Sequence, residues 1–431
     1  MKKILLCILA LATLAGSPLF AQNIAGDWQN LDLSPGDSRV ILKVAKADNG
    51  WSAQFFIIDI GPNGFPVSSI TLQGGELRFA VDMIHGTYIG KLSADGNTIS
   101  GTWNLGSSKP LNFTRATKET AWSTDPSPHT VKFITVDQDV KLEVLDWGGT
   151  GRPLILLTGL GDTAHVFDHF ALKLTPSYHV YGITRRGFGA SSAPVPTEDN
   201  YLADKLGDDV LAVIAALNLN RPILVGHSIA GEELSSIGSR HPEKVAGLIY
   251  LDAGHQYAFY NRSKNYLFSD VVDLRRKLGK LISGQGPREQ KAVIEELLHS
   301  SLPEFEKTLK TSDEEIPEMP AGSADPPKAP EMPPIFKAIT MGEQKYTEIK
   351  APVLAIFVVP HDLSSYPMDA AARAKLEAMD LDVTTAQANA FEAGVPTARV
   401  VRLAHADHYI FRSNEADVLR EIASFTATLP Q

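Results

Sequence analysis

The chain has 431 residues, of which 44% are apolar and 21% charged, and its formal charge is −10. That is the balance of an ordinary globular protein, and it excludes long disorder, a collagen-like repeat and a multi-span membrane protein. No basic run follows the first three residues, so no nucleic-acid partner is expected.

Lys2 and Lys3 precede an apolar run from Ile4 to Leu14, and small residues then lead to Ala21. This is the pattern of a secretory signal over residues 1–21, with cleavage after Ala21. The run is too short to span a bilayer comfortably, so no stable membrane span is expected after cleavage. Export to the periplasm or the medium follows as an expectation. Cys7, the single cysteine, lies in the leader. The mature chain would then carry about −12 and have no disulfide, thiolate nucleophile or cysteine-based metal site.

Residues 22–118 read as strands. Glu76–Val81 and Leu111-Asn112-Phe113 alternate with period two. Asp48-Asn49-Gly50, Gln73-Gly74-Gly75 and Ala94-Asp95-Gly96-Asn97 are turn signals at hairpin spacing. A small antiparallel barrel or sandwich is expected. Gly26-Asp27-Trp28 and Gly101-Thr102-Trp103 form a loose pair near its two ends that resembles lipocalin-like barrels. Basic and acidic residues balance here at eight each, so the net negative charge falls on the rest of the chain.

A polar stretch with prolines, taken as a linker over 119–129, leads to a different pattern from residue 130 onward. Thr130–Val136 and Val140–Trp147 look like a hairpin. Short apolar runs then alternate with helical stretches: Leu154–Thr158, His179–Ile183, Ile223–Val225, Val245–Leu251, Val353–Val359 and Ala398–Leu403. Continuous apolar runs between helices are what a parallel sheet covered on both faces requires, so an α/β domain spans 130–431. The alternation stops over about 257–347. There Val271, Leu274, Leu278, Leu281 and Ile282 follow helical spacing, and seven prolines fall between Pro317 and Pro334. This insertion reads as a helical lid with an extended loop that regular structure cannot enter.

Gly226-His227-Ser228-Ile229-Ala230-Gly231 follows a buried strand and precedes a helix. A serine at such an apex must take a strained backbone so that its hydroxyl projects above the sheet, and its neighbours must be small. Gly226 and Ala230 meet that need. Serine is inert without a base. His408, in Ala406-Asp407-His408-Tyr409 after the last strand and before the helix Ser413–Phe425, is the candidate base, with His405 assigned a structural role. Asp362, after the penultimate strand, is the preferred carboxylate, and Asp252, at the end of Val245–Leu251, is its rival. The backbone N–H groups of Ile229 and of Leu160, in Thr158-Gly159-Leu160-Gly161, are the candidate oxyanion donors. His405-Asp407-His408 and His361-Asp362 could be taken for metal clusters, but a triad explains their spacing better. No metal or other cofactor is expected.

These pieces, together with Arg186-Gly187-Phe188-Gly189-Ala190-Ser191-Ser192 and Leu251-Asp252-Ala253-Gly254, resemble the α/β-hydrolase superfamily from about Thr130 to the C-terminus. Thr158 departs from its frequent histidine, and Thr184 from its frequent aspartate. The resemblance implies an eight-stranded, mostly parallel sheet, a lid after the sixth strand and acyl transfer through a serine ester. Serine at the elbow argues against the epoxide hydrolases and haloalkane dehalogenases, which use aspartate there. The expected activity is hydrolysis of a small apolar carboxylic ester. The alternatives are an amidase or iminopeptidase-like peptidase, and a non-catalytic lipid or envelope binder with a degenerate hydrolase domain.

Overall fold

A computed structural model describes residues 23–33, 38–58, 64–105, 107–264, 266–283, 286–315, 331–364 and 368–430. The expected leader and most of the proline-rich loop lie outside the described residues. The chain divides into two compact units: the first holds the described residues up to Trp122 apart from Leu33, Ser38, Arg39 and residues 56–58, and the second holds those together with the described residues from Ser123 onward.

The first unit carries one antiparallel sheet of nine strands: β1 (Gly26–Gln29), β2 (Val40–Ala47), β3 (Gly50–Ile57), β4 (Phe65–Pro66), β5 (Ser69–Gln73), β6 (Glu76–Val81), β7 (Gly86–Leu92), β8 (Thr98–Leu105) and β9 (Ser107–Arg115). Their order is β4-β3-β2-β1-β9-β8-β7-β6-β5. The order runs from β4 at one end to β5 at the other, and this single sheet fits a separate all-β half-barrel. Alternation sets the inner face: Leu77, Phe79 and Val81 of β6 are buried while Glu76 and Arg78 are exposed. Trp28 is fully buried and donates its indole N–H to the Ile24 carbonyl at 2.9 Å. Tyr88 stacks on Phe79 with centroids 4.9 Å apart and donates to the Leu111 carbonyl at 3.0 Å. Gly101 is small for a packing reason, because a Cβ there would lie 2.5 Å from the Tyr88 hydroxyl.

The second unit is built on an eight-stranded sheet: β10 (Thr130–Asp137), β11 (Val140–Gly148), β12 (Arg152–Leu157), β13 (Tyr178–Ile183), β14 (Ile223–His227), β15 (Gly247–Leu251), β16 (Val353–Val358) and β17 (Ala398–Leu403). The order is β10-β11-β13-β12-β14-β15-β16-β17. The β10–β11 hairpin is antiparallel and meets β13 antiparallel, and the six strands from β13 to β17 in that order are mutually parallel. Around the sheet lie α1 (Asp168–Leu174), α2 (Ala203–Ala216), α3 (Gly231–Arg240), α8 (Ala370–Gly394), α9 (Ile410–Ser413) and α10 (Glu415–Thr426). Between β15 and β16 come α4 (Leu267–Ile282), α5 (Pro287–Glu296), α6 (Leu302–Glu315) and α7 (Pro334–Met341).

The continuous apolar runs have a simple cause. Ile155 and Leu157 of β12 face one core with Val213, Leu234 and Phe391, whereas Leu154 and Leu156 face another with Phe167, Phe170, Phe411 and Ile422. Both faces of the sheet are covered, so neither register position tolerates a polar side chain. Two local features differ from expectation. Pro334, placed at the end of the irregular loop, is the first residue of α7, where the missing N–H costs nothing. The C-terminal helix expected over Ser413–Phe425 is α10, with the short α9 ahead of it. The 25-residue α8 was not foreseen, because it has no one-sided apolar stripe to betray it.

Candidate active site

All the candidate groups lie at the carboxyl ends of the parallel strands. β12 has β13 on one side and β14 on the other, so the loops leaving β12 and β14 diverge over the sheet edge. That crevice is where open α/β sheets bind ligands.

β14 ends at His227 in extended backbone, and the chain turns sharply at Ser228, whose φ is +53°. A left-handed serine costs about 1–3 kcal/mol and persists only where its surroundings enforce it. The enforcement is steric. A Cβ on Gly226 would lie 2.9 Å from Leu234, and one on Gly231 would lie 1.9 Å from the Ala253 carbonyl. A single 3₁₀ turn, Ser228–Ala230, then leads into α3, so the Ile229 N–H belongs to a helical N-terminus. Tyr257 lies beside Ser228 and packs in the same apolar cluster as Ile229. Burial pushes the Tyr257 hydroxyl well above the usual range, so it stays neutral.

The structure corrects the choice of carboxylate. His408 Nδ1 lies 2.6 Å from Asp252 Oδ2, whereas the Asp362 carboxylate is exposed and accepts from the Ser364 N–H at 2.8 Å. The reason is local. His361 bridges to Ala406 in extended backbone, where successive side chains point to opposite sides. His361 therefore takes the inward position and Asp362 the outward one. Asp252 is fully buried, has φ of +46° and is held by the Val358 N–H at 3.0 Å on its other oxygen. Burial alone would raise its carboxyl, but the nearby His255 and the hydrogen bonds to His361 and His408 outweigh that and hold it well below the usual range. It is a carboxylate at neutral pH.

His361 was weighed only as a metal ligand, and its actual place is in this network. Its Nε2 lies 2.8 Å from Asp252 Oδ2, and its Nδ1 lies 3.0 Å from Asp380 on α8. Burial lowers it, but the two carboxylates prevail and push it up to about 9. The nearest sequence signal was its adjacency to Asp362 after a strand end. Asp380 gave none, since it lies 19 residues further on. His405 is exposed, at φ of +55°, and its backbone N–H donates to the Pro360 carbonyl.

His227 packs against His408, the candidate base. Its ring packs 4.7 Å from that of His408, and its Nε2 donates to the His408 carbonyl at 3.1 Å. Full burial and the nearby His408 depress it to about 3, so it stays neutral. Leu160, the other candidate oxyanion residue, sits in the loop after β12. That loop is fixed by Arg185, whose guanidinium donates to the carbonyls of Thr158 (2.8 Å) and Gly159 (3.2 Å) and to both oxygens of Glu233 on α3. Leu160 and Ile229 pack in one apolar cluster with Phe188, Tyr257 and the α7 residues Ile335, Ala338 and Ile339. An apolar wall from the insertion thus stands over the elbow.

Residues 152–324 match the family described as the alpha/beta hydrolase fold. Among curated proteins, the chain is 27% identical over 172 residues to epoxide hydrolase 4 of Mus musculus, covering 39% of this chain and 48% of that one. It is 30% identical over 122 residues to fluoroacetate dehalogenase of Burkholderia sp., covering 28% and 40%. It therefore spans about half, or less, of the length of these relatives. Solved structures that resemble it include an E-2-(acetamidomethylene)succinate hydrolase (18% identity, TM-score 0.41, 70% of this chain and all of that one) and the esterase RhEst1 from Rhodococcus sp. ECU1013 (17%, 0.45, 70% and 99%). The family match falls wholly within the second unit, which is where the chain is similar to hydrolases of the alpha/beta fold.

Proposed function

We propose that the protein is a serine hydrolase that cleaves a carboxylic ester through an acyl-enzyme on Ser228. The observation that carries the proposal is the 2.6 Å contact between His408 Nδ1 and buried Asp252, at the sheet edge where left-handed Ser228 stands. A proton on Nδ1, held by the carboxylate, leaves Nε2 free as the base. His408 takes the Ser228 proton as Oγ attacks the ester carbonyl. The N–H groups of Ile229 and Leu160 receive the oxyanion, and each such donor is worth about 10²–10³ in kcat. His408 then protonates the leaving alkoxide; a water deprotonated by His408 attacks the acyl carbon, the bond to Ser228 Oγ breaks, and the proton passes from His408 to Oγ as the acid leaves.

Epoxide opening or dehalogenation through an enzyme ester needs a carboxylate at the elbow, and this chain has a hydroxyl there. The apolar wall of Leu160, Ile335 and Ile339 favours an ester with an apolar acyl part. An amide is the second candidate, because the same triad would serve it. The test is labelling with a fluorophosphonate, followed by paired assays on a p-nitrophenyl ester and an amino-acid anilide. Labelling and ester turnover lost in Ser228→Ala, with the circular-dichroism melt unchanged, are expected. No adduct on the wild-type protein would end the proposal and favour a binding role.

A further inference from the structure

We propose that Asp162 is a positioning residue for the ester reaction: its carboxyl O–H donates to His227 Nδ1 and ties the loop carrying Leu160 to the strand end that packs against His408. This rests on the serine-hydrolase reading and deepens it. Asp162 closes the turn after β12, where its backbone N–H donates to the Gly159 carbonyl at 3.4 Å, and Leu160 lies inside that turn. His227 ends β14, directly before Ser228. The two side chains face each other, with His227 Nδ1 3.9 Å from Asp162 Oδ2. A Cβ on Gly159 would lie 2.9 Å from each of these atoms, so they converge over a position that only glycine leaves open.

Both atoms are buried without a hydrogen-bond partner, whereas buried polar atoms are ordinarily satisfied. His227 donates through Nε2 to the His408 carbonyl, so its neutral ring presents a lone pair at Nδ1. An ionised Asp162 is an acceptor too, and the two then repel at a separation longer than a hydrogen bond. One proton on Asp162 turns the pair into donor and acceptor. Closing it draws the turn from Gly159 to Asp162 toward the end of β14.

The groups around Asp162 bear on that proton. The Tyr409 hydroxyl donates to Asp162 Oδ1 at 3.4 Å, and Arg412 of α9, Arg185 after β13 and His408 lie near enough to favour the carboxylate. Burial outweighs them and pushes the Asp162 carboxyl up to about 6. His227, depressed to about 3, does not compete for the proton. Neutral Asp162 also takes a buried negative charge out of the loop whose Leu160 N–H is to receive the oxyanion, so the closed pair suits the transition state.

The test compares Asp162→Asn with wild type in the full-length protein, with circular-dichroism melts to verify folding. The amide N–H can donate to Nδ1 at every pH and so stands in for the protonated acid. On a p-nitrophenyl ester, the ratio of the variant's kcat to that of wild type should climb about fivefold between pH 5.5 and pH 8, the worth of one neutral hydrogen bond, with KM unchanged. Ionisation of His408 affects both proteins and cancels in the ratio, and a merely structural role would leave the ratio flat. In protein labelled with 15N-histidine, the His227 Nδ1 resonance, identified by its loss in His227→Gln, should move upfield as pH falls through about 6. Asp162→Asn should hold it upfield throughout. A flat or falling ratio, or a resonance that stays still in wild type, would overturn the proposal. Absence of a fluorophosphonate adduct would instead remove the serine-hydrolase reading, and the resonance would still decide whether Asp162 holds His227.

Discussion

His361 and His408 hydrogen-bond the same carboxylate oxygen of Asp252, at 2.8 and 2.6 Å. One buried anion thus serves two imidazoles, and Asp380 closes the far side of His361. With His361 charged, the group Asp380-His361-Asp252 carries a net −1, and protonating His408 brings the whole to neutrality. The second histidine fixes Asp252 in orientation without cancelling the charge that an imidazolium at His408 needs.

Asp252→Asn should lower kcat for the best ester by about 10³–10⁴, since the amide would favour the wrong tautomer of His408. Asp362→Asn should stay within about twofold, as that carboxylate only caps a surface turn. Steady-state kinetics on the two variants decide between them, and the reverse order would restore Asp362 as the acid.

His361 links stability to pH. Its folded value, about 9, lies above the ordinary 6.5, so the folded state binds the proton more tightly. The stabilisation is complete below about pH 6.5 and is lost as pH rises toward 9. It amounts to at most about 3 kcal/mol. Urea unfolding at pH 6, 7.5 and 9.5 should show His361→Gln less stable than wild type at pH 6, with the gap closing by 9.5. A gap independent of pH would refute the linkage.

Arg185→Met should destabilise the protein by about 3–5 kcal/mol, because Glu233 would be left as an unpaired buried charge. It would also free the Thr158 and Gly159 carbonyls and loosen the Leu160 loop. In variants that remain folded, kcat should fall with little change in KM, because an oxyanion donor acts on the transition state. An unchanged kcat would separate the loop from the chemistry.

Gly231→Ala tests the elbow itself. The added methyl would meet the Ala253 carbonyl, so backbone must move, at a cost of about 1–3 kcal/mol or more. Thermal melts should show the loss and fluorophosphonate labelling of Ser228 should slow. Wild-type values for both would mean that the turn is not sterically enforced.

Export can be checked directly. If the expected cleavage after Ala21 occurs, Edman or mass-spectrometric sequencing of protein recovered from outside the cytoplasm should find Gln22 as its first residue. An intact Met1 on such material would dismiss the cleavage.

Sequence alone determined whatever rests on local rules. The elbow was legible because strand, small residues and helix follow one another within a few positions, and His408 because it fills the loop after the last strand. The β hairpins declared themselves by alternation and glycine turns, and the two-faced sheet by its uninterrupted apolar runs. Tertiary structure alone decided which carboxylate serves His408. Asp252 and Asp362 both follow neighbouring parallel strands at one sheet edge, and only the registers and the pointing of each side chain separate them. The same holds for His361 with Asp380, for Tyr257 beside Ser228, and for Asp162 facing His227. Each joins residues that are distant or unremarkable in the chain, and contact between them is a product of folding rather than of any local pattern.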